Sequence, residues 1–364
     1  MRASSLVLLV LVFLVSTSAF AAWEVISLHP AGKVSSTAHG VFGGQQVGTA
    51  YGHWDVPGSF THAGLWSGTA ASFVDLNPAG SGSSCAYAVS NGQQVGWTDY
   101  GPYDHAALWS GTAASWVNLH PSGSRESRAY GVCDGKQVGY VRWDFYDHAA
   151  LWSGTANGWV DLNPAGCYDS YADGMSDGQQ VGWASFGGPD HAGMWSGTAK
   201  SWVDLNPAGS TQSYGSGISG GQQVGFAYFG GASHAGLWTG TAASWVDLTP
   251  AGCAYSIANG VSSGKQVGYV PVGSYSHASL WSGTAESWVD LNSLLPAEYR
   301  SSIAEGIEVT GSDIWIAGNA GNSITGTGQA VMWHYTPDAI PEPSSLLVLG
   351  TGLLALGGTI RRRR

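Results

Sequence analysis

The chain has 364 residues, 55 of them Gly and 18 Trp, with 44% apolar and only 10% charged, a balance too apolar and too aromatic for disorder. Acidic residues outnumber basic ones by 24 to 13, and five of the basic ones, Arg2 and residues 361–364, sit at the two ends. What lies between is strongly acidic, repels phosphate backbones and offers no basic stripe, which excludes nucleic acid as a partner. Four Cys without C-x-x-C spacing make neither a disulfide framework nor a zinc site, and no pairing can be deduced from them.

At the start of the chain Arg2 supplies a charge, residues 6–15 are an apolar run, and Ala19-Phe20-Ala21 has the small-x-small pattern of a cleavage site. That order of features predicts a signal peptide over residues 1–21 and an exported protein.

From Ala22 to about residue 337 the sequence repeats itself. His62, His105, His148, His191, His234 and His277 each open an H-A-x-[LM]-W segment, every one 43 residues after the last, and Gln329-Ala330-Val331-Met332-Trp333 is a divergent further copy. A second marker, W-V-D-L-N-P, centres on Leu76, Leu119, Leu162, Leu205, Leu248 and Leu291, with Leu28-His29-Pro30 as a degraded first copy. The third, G-[QK]-Q-V-G, centres on Val47, Val95, Val138, Val181, Val224 and Val267, with Ile316-Ala317-Gly318 in the same place at the end. All three agree on seven units, and a period near 43 with short strands between turn residues predicts an all-β, seven-bladed β-propeller of four-stranded repeats. In one unit the expected strands are residues 115–119, 129–133, 137–141 and 148–152, with Asp134-Gly135 as a hairpin turn. The phase places the first and last strands of the chain in one blade, which would close the ring and remove its open edges. An open solenoid, the competing architecture, needs no such matching of ends.

H-A-x-L-W, D-L-N-P and G-x-x-V-G at this spacing resemble the bacterial HAF-type extracellular repeat, with Leu where that family has Phe. The resemblance implies export and a repeat fold but no assigned reaction.

Residues 338–364 form the third region. Pro341-Glu342-Pro343 precedes the uncharged residues 344–360, and four arginines close the chain. Seventeen helical residues reach about 25 Å, the lower limit for a membrane span, with the arginines held on the cytoplasmic side. This end resembles the PEP-CTERM sorting signal of Gram-negative bacteria that make extracellular polysaccharide. The resemblance implies that an exosortase reads Pro341, Glu342 and Pro343, after transient anchoring in the inner membrane, and delivers the protein to the cell surface or extracellular matrix.

The six histidines recur identically, whereas a catalytic or metal centre gathers different residues at one point, so they are read as blade architecture. By analogy with WD-type propellers each joins a Ser, a Trp and an Asp or Asn, as in His105, Ser110, Trp116 and Asn118 or His148, Ser153, Trp159 and Asp161. Asp169, Asp173 and Asp177 lack calcium-loop spacing and are read as polar turn residues. No catalytic residue, metal ligand or cofactor motif is assigned. The segment between G-x-x-V-G and H-A varies between units and is aromatic, which makes Tyr100, Tyr103, Trp143, Phe145, Tyr146, Phe186, Tyr228, Phe229 and Tyr275 the candidate ligand contacts. On one face of a ring, beside Asp55, Asp99, Asp104, Asp144 and Asp147, they would suit sugar rings, whose apolar faces stack while hydroxyls bond to carboxylates. The expected function is a non-catalytic polysaccharide-binding face. A polysaccharide lyase or glycoside hydrolase, and a purely structural scaffold, are the alternatives, and a catalytic centre would show itself by breaking the repeat symmetry.

Overall fold

The computed structural model describes residues 22–52 and 60–337. The expected signal peptide, the 344–360 helix and the sorting residues Pro341, Glu342 and Pro343 lie outside the described residues. No helix among the described residues is long and apolar enough to cross a membrane.

The described strands form seven antiparallel sheets of four strands each. In the third, the chain runs through Glu126–Cys133, Lys136–Trp143, Tyr146–Trp152 and Val160–Asp161 in that spatial order. The first strand of every sheet lines one shared central channel, so each sheet is a blade laid out from the axis to the rim. The hairpin at Asp134-Gly135 has positive φ at both residues, 48° and 73°, the geometry a two-residue hairpin needs to match strand twist.

Sequence unit and blade differ in phase by one strand. The W-V-D segment after each H-A-x-L-W strand pairs with that strand and forms the rim of the same blade. It is also shorter than expected: Ala113–Ser115 is a 3-10 turn, and only Val117–Asn118 is extended. Here the Ser115 hydroxyl braces the turn, donating to Thr112 O at 2.6 Å and accepting from Ser110 N at 2.8 Å, and the same turn forms over Ala156–Gly158 without a serine. Short rim strands leave little unpaired edge for another chain to add to.

Ring closure uses both ends of the described chain. In the seventh blade Tyr299–Thr310, Asp313–Asn322 and Thr327–Thr336 come from the last repeat, and Ala22–Ser27 supplies the rim. Leu28 N donates to Ala330 O at 2.9 Å, and the rings of Trp23 and Tyr335 lie 5.2 Å apart.

Between blades the same residues recur. Trp66, Trp109, Trp152, Trp195, Trp238, Trp281 and Trp333 of the H-A-x-L-W strands are fully buried. One interface packs Val95, Leu108 and Leu119 of the second blade against Ala129, Val132 and Trp152 of the third. The seventh and first blades meet through Leu28, Ala330 and Met332 on Ala38, Val41 and Trp66. A hydrogen bond crosses every one of these seams: the Ala amide of H-A donates to a buried Ser hydroxyl on the next blade's innermost strand. Ala330 to Ser36, at 2.9 Å, completes the circuit. At four of the seams that hydroxyl donates onward to the Asn of the D-L-N segment, as Ser170 does to Asn163 Oδ1 at 2.6 Å.

Trp195→Ala should therefore cost about 3–5 kcal/mol in chemical denaturation, the usual loss for an emptied aromatic core site. Ser170→Ala should cost about 1–3 kcal/mol, because it strands the buried Ala149 amide. A Ser170→Ala variant as stable as the parent would show that the seam bond contributes nothing.

Candidate functional site: the central channel

One device places the site. In every blade the ladder between the first and second strands slips at the same point, as between Ala129 and Gly131, so that one residue bulges out of register. The bulge forces the second strand to pass very close: a Cβ on Gly139 would sit 1.9 Å from Arg128 O, and the V-G glycine of each other blade is equally tight. The final Gly of G-x-Q-V-G is thus the imprint of the bulge opposite it.

The seven bulged residues are His39, Tyr87, Tyr130, Asp173, Ser216, Asn259 and Glu305, and they alone line one cavity of about 270 Å³ on the channel axis. Below them the innermost strands close in. Gly40, Gly131, Gly174, Gly217, Gly260 and Gly306 lie against the next blade's backbone, and a Cβ on Gly306 would meet His39 O at 2.7 Å. Past this waist, apolar residues including Val89, Val132, Met175, Ile218, Val261 and Ile307 line a second cavity of about 400 Å³. Chain direction puts the polar ring on the side of the N-P-A-G crossovers and of the aromatic hairpins, and the apolar ring on the side of the Asp134-Gly135 type of turn.

The ring breaks the repeat symmetry that the rest of the molecule keeps. Burial pushes the carboxyls of Asp173 and Glu305 up to about 7 and holds the His39 imidazole down to about 4. Burial, followed by the nearby Asp173 carboxylate, raises the Tyr130 phenol, and burial raises Tyr87 as well. Asn259 Nδ2 donates to Ala304 O at 2.9 Å and to Glu305 Oε2 at 3.3 Å. Asp173 has no hydrogen-bond partner among the described residues. Asp173 is a strand residue in the channel, which corrects its reading as part of a polar turn; only Asp177, at φ 51°, is in a turn.

An aromatic belt leaves the ring. His39 and Tyr87 are 5.4 Å apart, Tyr87 and Tyr130 5.1 Å, and Tyr130 and Tyr140 5.9 Å. Contacts continue through Tyr171, Trp183, Tyr214 and Phe226 to Tyr228, all within 5.9 Å of the next ring. Fixed charges brace it: Arg142 grips Asp147 at 2.6 and 2.8 Å and Glu126 at 2.7 Å, while Tyr214 donates to Asp190 at 2.7 Å.

The loop aromatics chosen from the sequence occupy a different place. Tyr100, Tyr103, Phe145, Tyr146, Phe186 and Tyr275 are exposed, Phe145 at 85%, while Trp143, Tyr228 and Phe229 are half-buried. They do not gather at one point. Tyr100 rests on Trp116, Trp143 on Trp159, Phe186 on Trp202 and Phe229 on Trp245, each within its own blade; Tyr228 alone touches the belt. Three of the acids expected beside them are already engaged, Asp99 by Ser81 and the amides of residues 82–83, Asp104 by Arg128, and Asp147 by Arg142, while Asp144 is exposed in a turn and Asp55 lies outside the described residues.

His62, His148, His191, His234 and His277 each place Nδ1 2.7–2.9 Å from an Asp thirteen residues on, and His105 meets Asn118 at 3.1 Å. The Asp caps the following turn with its other oxygen, as Asp161 does for Asn163 N at 2.8 Å. Hydrogen bonding to Asp161 raises the His148 imidazole above its ordinary value. The expected four-residue network is a two-residue one: Ser110 and Ser153 add no side-chain hydrogen bond, and Trp116 Nε1 has no partner. The His–Asp pair itself lies at the surface, Asp204 being 49% exposed. All four cysteines are free, and no group of three His, Cys, Asp or Glu among the described residues could hold a metal.

With this geometry in view, comparisons with known proteins divide the chain. Residues 339–364 match the PEP-CTERM protein-sorting motif, which implies export and sorting to the cell envelope. Among curated proteins none matches the sequence. Two crystal structures of puromycin hydrolase are similar in fold, at 10% identity: one has a TM-score of 0.56 over 86% of this chain, the other 0.55 over 90%. TolB from Acinetobacter baumannii gives 0.46 over 68%, also at 10% identity. This chain covers 55%, 58% and 63% of those three in turn. The likeness shows the fold alone.

Folded Asp173 keeps its proton up to about 7, whereas an unfolded carboxyl loses it near 3.8, so this group makes the protein less stable as pH rises between those values. Asp173→Asn cannot titrate. Its melting temperature should exceed the parent's at pH 8, and the gap should shrink towards pH 4. A variant that melts below the parent at pH 8 would contradict the burial of this carboxyl.

Proposed function

We propose that the protein is an exported envelope protein whose channel mouth binds the end of a polysaccharide chain, presented by an otherwise repetitive scaffold. The observation that carries this reading is the convergence of seven unlike side chains, one from the same bulge of each blade, on one cavity. Phenols, carboxyls, an amide and a hydroxyl give a sugar ring both stacking faces and hydrogen-bond partners, and the aromatic belt extends the stacking surface outwards. The cavity's size is compatible with an end-on mode: about 270 Å³ equals about nine liquid waters, room for one pyranose ring. The sorting motif supports the setting, since its resemblance points to bacteria that make extracellular polysaccharide. The resemblance of the repeats to the HAF type agrees with an extracellular role.

A hydrolase or lyase is the second reading, and one observation favours it. Two carboxyls held near neutrality in one cavity are the groups that acid–base cleavage of a glycosidic bond uses.

Calorimetric titration with glycan fragments and with the producing cell's own polysaccharide tests both. Tyr130→Ala should weaken binding about tenfold, or about 1.4 kcal/mol, while Trp143→Ala and Tyr146→Ala on the rim leave it unchanged. The opposite pattern would move the site to the rim, absence of any saccharide binding would refute the reading, and reducing ends appearing over time would make the protein an enzyme.

A further inference from the structure

The channel ring has one more property that follows from its composition: it holds carboxyls and phenols and no fixed cation. Asp173 and Glu305 stand on the fourth and seventh blades, Tyr87 and Tyr130 on the second and third, and His39 on the first. Elsewhere among the described residues the buried acids near the belt are matched, Glu126 and Asp147 by Arg142 and Asp104 by Arg128. Asp173 has no such partner, and Glu305 has only the Asn259 amide. Arg128, the nearest guanidinium to Tyr130, is held by Asp104 and Glu126. His39 is crowded in a wall that disfavours its charged form, so it supplies a neutral imidazole beside Tyr87.

A cavity lined by His39, Tyr87 and Tyr130 together with two carboxyls that no fixed cation matches is complementary to an organic ammonium. The ring quadrupole and the carboxylate both attract positive charge, and the cation would supply the counter-charge that the fold omits. A bare metal ion fits less well, since no group of three His, Cys, Asp or Glu among the described residues is close enough to chelate one. We infer that the channel ring selects a saccharide end bearing a free amino group, an unacetylated hexosamine, whose ammonium sits between Asp173, Glu305 and the faces of Tyr87 and Tyr130. This inference rests on the polysaccharide reading and names the sugar class it would take.

Binding should depend on pH in a defined direction. A cation needs ionised carboxylates, so affinity falls as pH drops through the range near 7 where Asp173 and Glu305 take up protons. His39, Tyr87 and Tyr130 do not oppose this, for His39 charges only near 4 and both phenols stay protonated.

The test is calorimetry on the full chain in detergent solution with four probes: a glucosamine trisaccharide, its N-acetylated counterpart, cellotriose, and choline as a cation of fixed charge. The expected result is at least about tenfold preference, about 1.4 kcal/mol, for the glucosamine trisaccharide over the acetylated one. Asp173→Asn and Glu305→Gln should each abolish that preference, and choline affinity should drop between pH 8 and pH 5. Asp204→Asn, on the rim, is the control for general attraction to a protein of net charge −11, and should change nothing. Equal binding of both trisaccharides overturns the ammonium inference and leaves the polysaccharide reading standing. Choline binding with no saccharide binding overturns the polysaccharide reading and the inference with it, and makes the ring a site for a small organic cation. Equal losses in Asp173→Asn and Asp204→Asn would reduce the effect to bulk charge and overturn the inference, as would no binding by any probe.

Discussion

Seven sheets can share one axis only if their innermost strands come together, and that contact sets the terms for everything else in the molecule. At the waist the strands touch through glycines, Gly306 of the last blade closing on Gly40 of the first. The second blade has Ala88 at this level, and a side chain larger than its methyl would push neighbouring blades apart. The bulge just above the waist turns one residue per strand towards the axis and demands the second glycine, on the neighbouring strand, that lets the ladder continue. Close approach and bulge together produce a narrow neck with a ring of side chains above it.

Around this neck the molecule divides its residues by task. What is repeated holds the ring together: the buried Trp of H-A-x-L-W, the Ala-to-Ser bond across each seam, and the His and Asp that pin each rim strand. The buried Gln of G-x-Q-V-G belongs with them, since Gln137 Oε1 accepts from Gly154 N at 2.8 Å and its amide donates to Gly135 O at the same distance. What varies is the bulged residue, which differs from blade to blade; at one seam it adds a bond of its own, from the Asn259 amide to Ala304 O. A binding or catalytic centre needs unlike groups, and a symmetric scaffold provides a single place where unlike groups from all blades meet.

Much of the fold was legible because its causes are local and recur. Seven copies, four strands per copy, the Asp134-Gly135 turn and the closure by the first strand follow from spacing and turn chemistry. Strand limits were less legible: Trp116-Val117-Asn118 looks like the middle of a strand, and the 3-10 turn over Ala113–Ser115 shortens it. The channel ring was not legible in the same way. Aromatics such as Tyr146 and Phe145 stand out in a varying segment, but spacing alone does not reveal that they are exposed and do not converge. The bulged positions carry a quieter signal. His39, Tyr87, Tyr130, Asp173, Ser216, Asn259 and Glu305 each follow a small residue and precede a Gly or Ala, so that one position changes class between constant neighbours. Asp173, seen beside Asp169 and Asp177, looked like a turn acid, since nothing local distinguishes a bulge in a strand from a turn.

The separation of framework from recognition is open to one direct measurement. In a variant with the bulged positions made alike, by changing His39, Tyr87, Tyr130, Asp173, Asn259 and Glu305 to the Ser already present at residue 216, thermal unfolding and saccharide binding are measured on the same sample. The expected result is a single cooperative transition at or above the parent's midpoint, with binding lost. A ring that no longer folds, or one that folds and still binds as tightly as the parent, would contradict the assignment of the bulge to function and of the repeats to the scaffold.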